Sequence, residues 1–408
     1  MKRIVYREWR LAPRSYWALL ASLAAVAGVG GLAFWYMEHQ GHWVTGMNNE
    51  VVWGLPHIFA VFLIVAASGA LNIASIGTVF GKSTYQPLGR FSALLAVALL
   101  IGGLMVLVLD LGRPDRLIVA MTSYNFRSIF AWNVILYSGF VAIVIAYLVT
   151  MVDRGFRGYY KAAGTLAFVW RLLLTTGTGS IFGFIVARQA YDTAVLAPMF
   201  IVMSFLYGLA IFMLVLMFAF AQDQRTLGPY IINRLKGLLS IFIAAVLLFI
   251  LIYFLTKLYG AQNYDLVSFY LVSGGRYTLA FWFGWVILGL LAPFGILFHP
   301  VHGRDRRWIA GACGLVVLGG LASIYVIVIG GQAFPMPIFP GKTILESGFH
   351  DGVGGQIAAY APSMPEFLLG LGGVAVALII TAVGVRALQF LPESLADKDV
   401  DPHAAVKA

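Results

Sequence analysis

The sequence predicts an all-α integral membrane protein of about ten transmembrane helices. Three observations carry this. Of 408 residues, 61% are hydrophobic and only 11% are charged, against roughly 25% charged in a soluble domain. The apolar residues gather into runs that each reach the about 20 residues needed to cross a hydrocarbon core. Those runs are continuous, as in "LLSIFIAAVLLFILIYFL", without the short alternating segments of a membrane β-barrel.

The expected spans lie at 16–37, 52–79, 88–109, 128–151, 163–187, 195–221, 236–258, 277–298, 308–331 and 365–391. The first follows "MKRIVYREWRLAPR" and ends in "GLAFWYMEHQ"; it has no small-residue cleavage site, so it reads as a span rather than a signal peptide. The second enters through "NNEVVWGLPHIF", and the third leaves through "LDLGRPDR", where Gly112 and Pro114 are helix-stop residues. The fourth begins after "TSYNFRS", and the fifth carries a lone Arg171 ahead of "TTGTGSIFG". The ninth holds the single cysteine, Cys313, which excludes an internal disulfide and an iron–sulfur cluster ligated by this chain alone. The expected organisation is 1–51 (amino-terminal segment, first span and loop), 52–151 (first bundle region, spans two to four, with the candidate site), 152–331 (second bundle region, spans five to nine), a long Pro/Gly-rich loop at 332–364, and 365–408 with the last span and tail.

Cytoplasmic loops retain Lys and Arg during insertion. With alternating spans, 19 of the 27 Lys and Arg fall on the face that includes both termini, and 7 on the other. Both termini are therefore expected in the cytoplasm, and the net charge of +10 reads as a topology signal, not a nucleic-acid footprint.

The outward ends of spans two, three and four collect unusual residues: Glu50 and His57, then Asp110, Arg113, Asp115 and Arg116, then Tyr124, Asn125, Arg127 and Ser128. A histidine, carboxylates, an arginine and a tyrosine at a bundle margin suit the hydrogen bonding and proton handling of a quinone head group. Each also has a structural reading. Asp110 and Arg113, three residues apart, would close a helix end as an ion pair; His57 would be a packed histidine, Arg116 and Arg127 interfacial anchors, and Tyr124 a belt aromatic. Bis-histidine haem needs two imidazoles at matching depth, and His39, His42, His57, His299, His302, His350 and His403 provide no intramembrane pair. The redox centre is thus expected on a partner.

"LVLDLGRPDRLIVAMTSYNFRSIFAWNVILYSG" resembles the signature of the NrfD/polysulfide-reductase membrane-subunit (PsrC-like) family, and "LLLTTGTGSIFGFIVAR" with "LAPMFIVMSFLYGLAIFM" resembles its second four-helix half. The resemblance covers about spans two to nine. Within the family, the ten-span layout and "NNEVVWGLPHIFAVFLIVAASGALN" look most like the membrane subunits of DsrMKJOP-type complexes of dissimilatory sulfur metabolism. It implies two four-helix bundles plus flanking helices in the cytoplasmic membrane. It also implies a quinone (menaquinone or ubiquinone) pocket on the positive side, a ferredoxin-like iron–sulfur subunit docked on that outer face, and further haem and iron–sulfur subunits. Asp110, Gly112, Arg113 and Pro114 match the family's helix-end motif; Asn125, Ser128 and Trp132 match the segment into the next helix, with Phe126 where a proline is common. His57 falls on the helix that contributes a polar residue to the family's quinone site, and Tyr124 is a candidate aromatic hydroxyl. On this reading His57 or Asp110 accepts a proton and Arg113 fixes the acidic group.

Arg171 lies about ten residues, roughly 15 Å, into the membrane, where a charge costs about 2.5 to 3.5 kcal/mol on insertion scales. One reading has it bonding carbonyls freed near Gly177 and Gly179; the other has it lining a proton route with Asn72, Asn133, Thr175, Thr176 and Thr178. The 332–364 loop suits a lid or docking surface by length and position. Two other classes stay open: a secondary transporter, whose features include paired halves and Gly-interrupted spans, and a non-catalytic anchor of an extracytoplasmic redox complex.

Overall fold

A computed structural model describes residues 4–336 and 357–401. The 332–364 loop expected as a lid lies mostly outside the described residues, as do His350 and His403.

Among the described residues, ten helices are long and apolar enough to cross a membrane: Pro13–Gln40, Leu55–Thr78, Ser83–Leu109, Ile129–Val152, Arg157–Gly183, Leu196–Gln222, Pro229–Tyr259, Arg276–Phe298, Arg306–Ala333 and Met364–Ala387. The chain is a multi-pass membrane protein.

Spans two to five pack around one another, so the fifth span closes the first bundle rather than opening the second as the 152–331 division expects; spans six to nine pack together likewise, and the two groups meet where spans two and five lie along span six. Small residues make that meeting close. A Cβ on Gly69 would overlap the Ser204 carbonyl, and one on Gly208 would overlap the Ala70 amide, so the backbones touch as they do in small-residue membrane interfaces. The tenth span packs on spans two and three and carries the first on its outer side. Span two is accordingly the most enclosed, with 94% of its apolar window buried, and span one the least, at 11%.

Some boundaries differ from the sequence expectation. The second span is interrupted at Leu71, between Leu55–Ala70 and Asn72–Thr78. The loop after the third span contains a short helix, Leu117–Thr122. The fifth span stops at Gly183 rather than 187, where Phe184 and Ile185 turn back onto the Ser180 and Phe182 carbonyls. The tenth stops at Ala387 rather than 391 because Leu391–Pro392 leaves the helix to pair antiparallel with Tyr6–Arg7, joining the amino- and carboxy-terminal segments at one end of the bundle.

Candidate functional site

Gly54 leads into the second span, and Pro56 in its first turn needs no backbone donor there. His57 follows directly. The third span ends at Leu109, with the Asp110 amide still bonded to the Val106 carbonyl (3.1 Å). Gly112 then takes φ +68°, a left-handed conformation that suits glycine and sends the chain away from the helix axis. A Cβ there would also stand 3.4 Å from His42 Nε2.

These two helix ends bring His57 Nδ1 to 2.6 Å from Asp110 Oδ2, with side-chain exposures of 15% and 0%. The approach is a close polar contact rather than an aligned hydrogen bond, because neither atom meets hydrogen-bond geometry, and Asp110 Oδ1 likewise has no hydrogen-bond partner among the described residues. A buried carboxylate so placed is costly unless something completes it. Trp53 stacks on the imidazole (6.3 Å between centroids, 29° between planes) and packs in turn on Phe130 of span four (6.2 Å) and Phe182 of span five (5.6 Å). The site is thus a half-open His–Asp pair with an aromatic wall.

The expected Asp110–Arg113 ion pair is not formed. Beyond the turn at Gly112, Arg113 points to Asp115, donating through Nε (3.1 Å) and Nη2 (3.0 Å) to its two oxygens, with both side chains more than 60% exposed. The Arg113 hydrogen bond holds the Asp115 carboxyl below its ordinary value and raises Arg113 correspondingly. Arg113 therefore does not fix Asp110, whose close neighbour is the His57 imidazole. Tyr124, Asn125 and Ser128 lie on the same end of the bundle, and their bonds are local. Asn125 Oδ1 accepts from the Arg127 amide (3.1 Å), the Ser128 amide donates to the Asn125 carbonyl (2.9 Å), and Tyr124 stacks on Phe126 (5.9 Å).

Sequence reasoning missed the strap that positions Trp53 and His57. Gln332, at the end of the ninth span, accepts the amides of Val52 and Trp53 at Oε1 (3.0 Å each) and donates from Nε2 to the Trp53 carbonyl (3.1 Å). Arg188 ties the Glu50 carbonyl (2.9 Å) to the Gln332 carbonyl (2.6 Å). Glu366, fully buried at the start of the tenth span, accepts from the Gly46 and Ser363 amides (3.0 and 2.6 Å) and from the Tyr360 hydroxyl (2.8 Å), while that hydroxyl oxygen accepts the Leu55 amide (2.6 Å). Ser363 and Glu366 form a capping box, a signal readable in "SMPE" ahead of an apolar run; the partners across the fold were not readable.

Deeper, Arg171 is 1% exposed. Its Nη2 donates to Asn72 Oδ1 (2.8 Å), just past the Leu71 interruption, and its guanidinium lies over Phe168 (4.9 Å) and Phe205 (5.0 Å). The side chain thus reaches Asn72 rather than the carbonyls near Gly177 and Gly179, and Nε and Nη1 have no partner among the described residues. Thr175 donates to Ser68 Oγ (2.6 Å) in the same layer. Asn133 instead bonds the Ile129 and Gly177 carbonyls (2.9 and 3.1 Å), Thr178 lies 3.5 Å from the Tyr137 hydroxyl, and Thr176 is half-buried.

A ten-span helical membrane protein with a half-open His–Asp pair at one end of its first bundle is the class that fold and site define. The chain belongs to the family described as "Polysulphide reductase, NrfD", whose model matches residues 43–336. It is 32% identical over 393 residues to the Hdr-like menaquinol oxidoreductase integral membrane subunit of Archaeoglobus fulgidus, covering 95% of this chain and 96% of that one. It is 25% identical over 309 residues to a polysulfide reductase chain of Wolinella succinogenes (70% and 96%), and 21% over 403 residues to a selenate reductase subunit of Mesobacillus selenatarsenatis (89% and 92%). These relatives are, by name, parts of a menaquinol oxidoreductase and of reductases.

Proposed function

We propose that this chain is the quinone-interacting membrane subunit of a respiratory redox complex. It exchanges electrons between the menaquinone or ubiquinone pool and a ferredoxin-like iron–sulfur subunit docked over the outward ends of spans two to four. The observation that carries this is the buried Asp110 carboxylate, 2.6 Å from His57 Nδ1 with its second oxygen unpartnered among the described residues. Those orphaned polar atoms and the Trp53–Phe130–Phe182 wall fit a quinone head group, which is flat, apolar on its faces and polar at two oxygens.

A quinone bound here supplies two-electron, two-proton chemistry. His57, the partly exposed member of the pair, takes the released proton at the half-open edge of the site, and Asp110, buried behind it, compensates the charge that the imidazole gains. Trp53 keeps the imidazole oriented and excludes water from its face. Arg113, Tyr124, Asn125 and Ser128 form the rim, where Arg113 contributes positive potential rather than a bond to Asp110. The same reading has both termini in the cytoplasm, the cytoplasmic membrane as location, and a DsrMKJOP-like complex of sulfur metabolism, with its haem and iron–sulfur subunits, as the assembly. The names of the relatives support a redox subunit over a secondary transporter.

Purification of the complex from membranes tests this. Co-purifying quinone and an iron–sulfur subunit are expected. A chain that purifies alone, without quinone, and catalyses counterflow of a charged solute would contradict it.

A further inference from the structure

At the end of the bundle opposite His57, the start of the seventh span stands beside the end of the eighth, and two adjoining clefts of about 470 Å³ each open there. One is bordered by Lys236, Arg304 and Arg306; the other runs along Ile241, Phe294 and Phe298 and shares Lys236 and Arg304 with the first. Ile241 and Phe298 are 62% and 65% exposed, so this apolar groove faces the surroundings at the depth of the span ends.

The cations are held toward the groove. Lys236 Nζ donates to the Gly303 carbonyl (2.8 Å), and the Arg306 guanidinium binds the Leu227 carbonyl. Neither bond neutralises its charge. Of the nearby carboxylates, Asp305 caps the ninth span by accepting from the Arg307 amide (2.9 Å), and Asp397 accepts from the Tyr230 amide at the start of the seventh (3.0 Å). His299 accepts the Val301 and His302 amides at Nδ1 (3.3 and 3.2 Å), which leaves Nε2 as its donor position on the groove. A topology signal alone would scatter positive charge over the loops; here it converges on one cleft with an exposed apolar channel leading from it.

We propose that this paired cleft binds an anionic diacyl phospholipid, with its phosphate among Lys236, Arg304 and Arg306 and an acyl chain along Ile241, Phe294 and Phe298. Basic pockets at span ends recognise such headgroups through charge and seat the chains through apolar contact. A zwitterionic lipid of the same chain length has the apolar term and lacks the net charge.

Native mass spectrometry of the full chain in detergent, titrated with phosphatidylglycerol or phosphatidylcholine of identical chains, reads the site directly. Phosphatidylglycerol is expected to be retained selectively and to resist competition by inorganic phosphate. Its affinity should fall about fivefold for each cation removed, in Arg304→Gln and further in Lys236→Gln/Arg304→Gln, and stay unchanged in Arg154→Gln. Because Lys236 also bonds the 303 turn, Arg304→Gln is the decisive variant, checked for a wild-type thermal midpoint. Equal retention of both lipids, full displacement by inorganic phosphate, or unchanged affinity in a folded Arg304→Gln protein would overturn the proposal.

Discussion

Gln332 grips Trp53 from both sides, its Oε1 accepting the Trp53 amide at 3.0 Å and its Nε2 donating to the Trp53 carbonyl at 3.1 Å. A residue of the second helix group thereby sets the ring that stacks on His57. Gln332→Leu leaves two amides and a carbonyl of the strap without partners, which costs about 1 to 3 kcal/mol per group left buried. The expected outcome is a lower thermal midpoint in detergent together with weaker quinone-analogue binding. A variant that loses stability while binding the analogue normally would show that the strap does not position the site.

Glu366 is the corresponding clamp on the tenth span, joining the Gly46 and Ser363 amides and the Tyr360 hydroxyl. Glu366→Ala removes a charged acceptor of three hydrogen bonds, each worth about 1.5 to 3 kcal/mol when the partner is ionised. Differential scanning fluorimetry should show one of the largest destabilisations of any single substitution at this end of the bundle. Glu366→Gln, which keeps one acceptor oxygen, should fall between it and the wild type.

Asp115 yields a pH prediction. Its folded-state pKa is lowered, first by the Arg113 hydrogen bond. The pair's contribution is therefore present above the ordinary carboxylate value and is lost only as pH falls through the lowered one. Over about pH 5 to 8, the range in which histidines ordinarily titrate, Asp115 stays ionised. Asp115→Asn should leave the shape of the pH profile of quinol-driven partner reduction unchanged across that range; a shifted inflection would place Asp115 in the proton chemistry.

Arg171 is bonded to Asn72 and lies over two phenylalanine rings inside the bundle. Arg171→Leu is expected to reduce assembled complex in the membrane, because Asn72 and the Leu71 interruption lose their cross-span tie. Quantitative immunoblotting of membranes checks this. Normal assembly combined with proton movement uncoupled from quinol oxidation would assign Arg171, Asn72, Asn133 and Thr176 to a proton route instead.

The spans are legible because a hydrocarbon core imposes a length of about 20 apolar residues, and the described residues hold ten such helices. The grouping of His57 with Asp110 was half legible: alternation of spans placed both at one end, but the partner of Asp110 was read as Arg113 from their spacing of three. That spacing pairs side chains only within a continuing helix, and here the helix ends at Leu109 and the chain reverses at Gly112. Gln332 and Glu366 were not recognised because their value lies in backbone amides hundreds of residues away, and no local pattern announces such partners. The end of the tenth span is not legible for a similar reason, since Leu391 is apolar yet pairs with the amino-terminal strand.

Whether the His57–Asp110 pair handles the quinone is tested most directly by a quinone-analogue titration of the intact complex, with quinol-driven reduction of its iron–sulfur partner, in wild type, Asp110→Asn and His57→Ala. Affinity is expected to weaken by about tenfold or more in each variant, in line with loss of one hydrogen bond to a charged group, and partner reduction should be lost with it. Wild-type affinity and wild-type reduction in both variants would remove the pair from the quinone site.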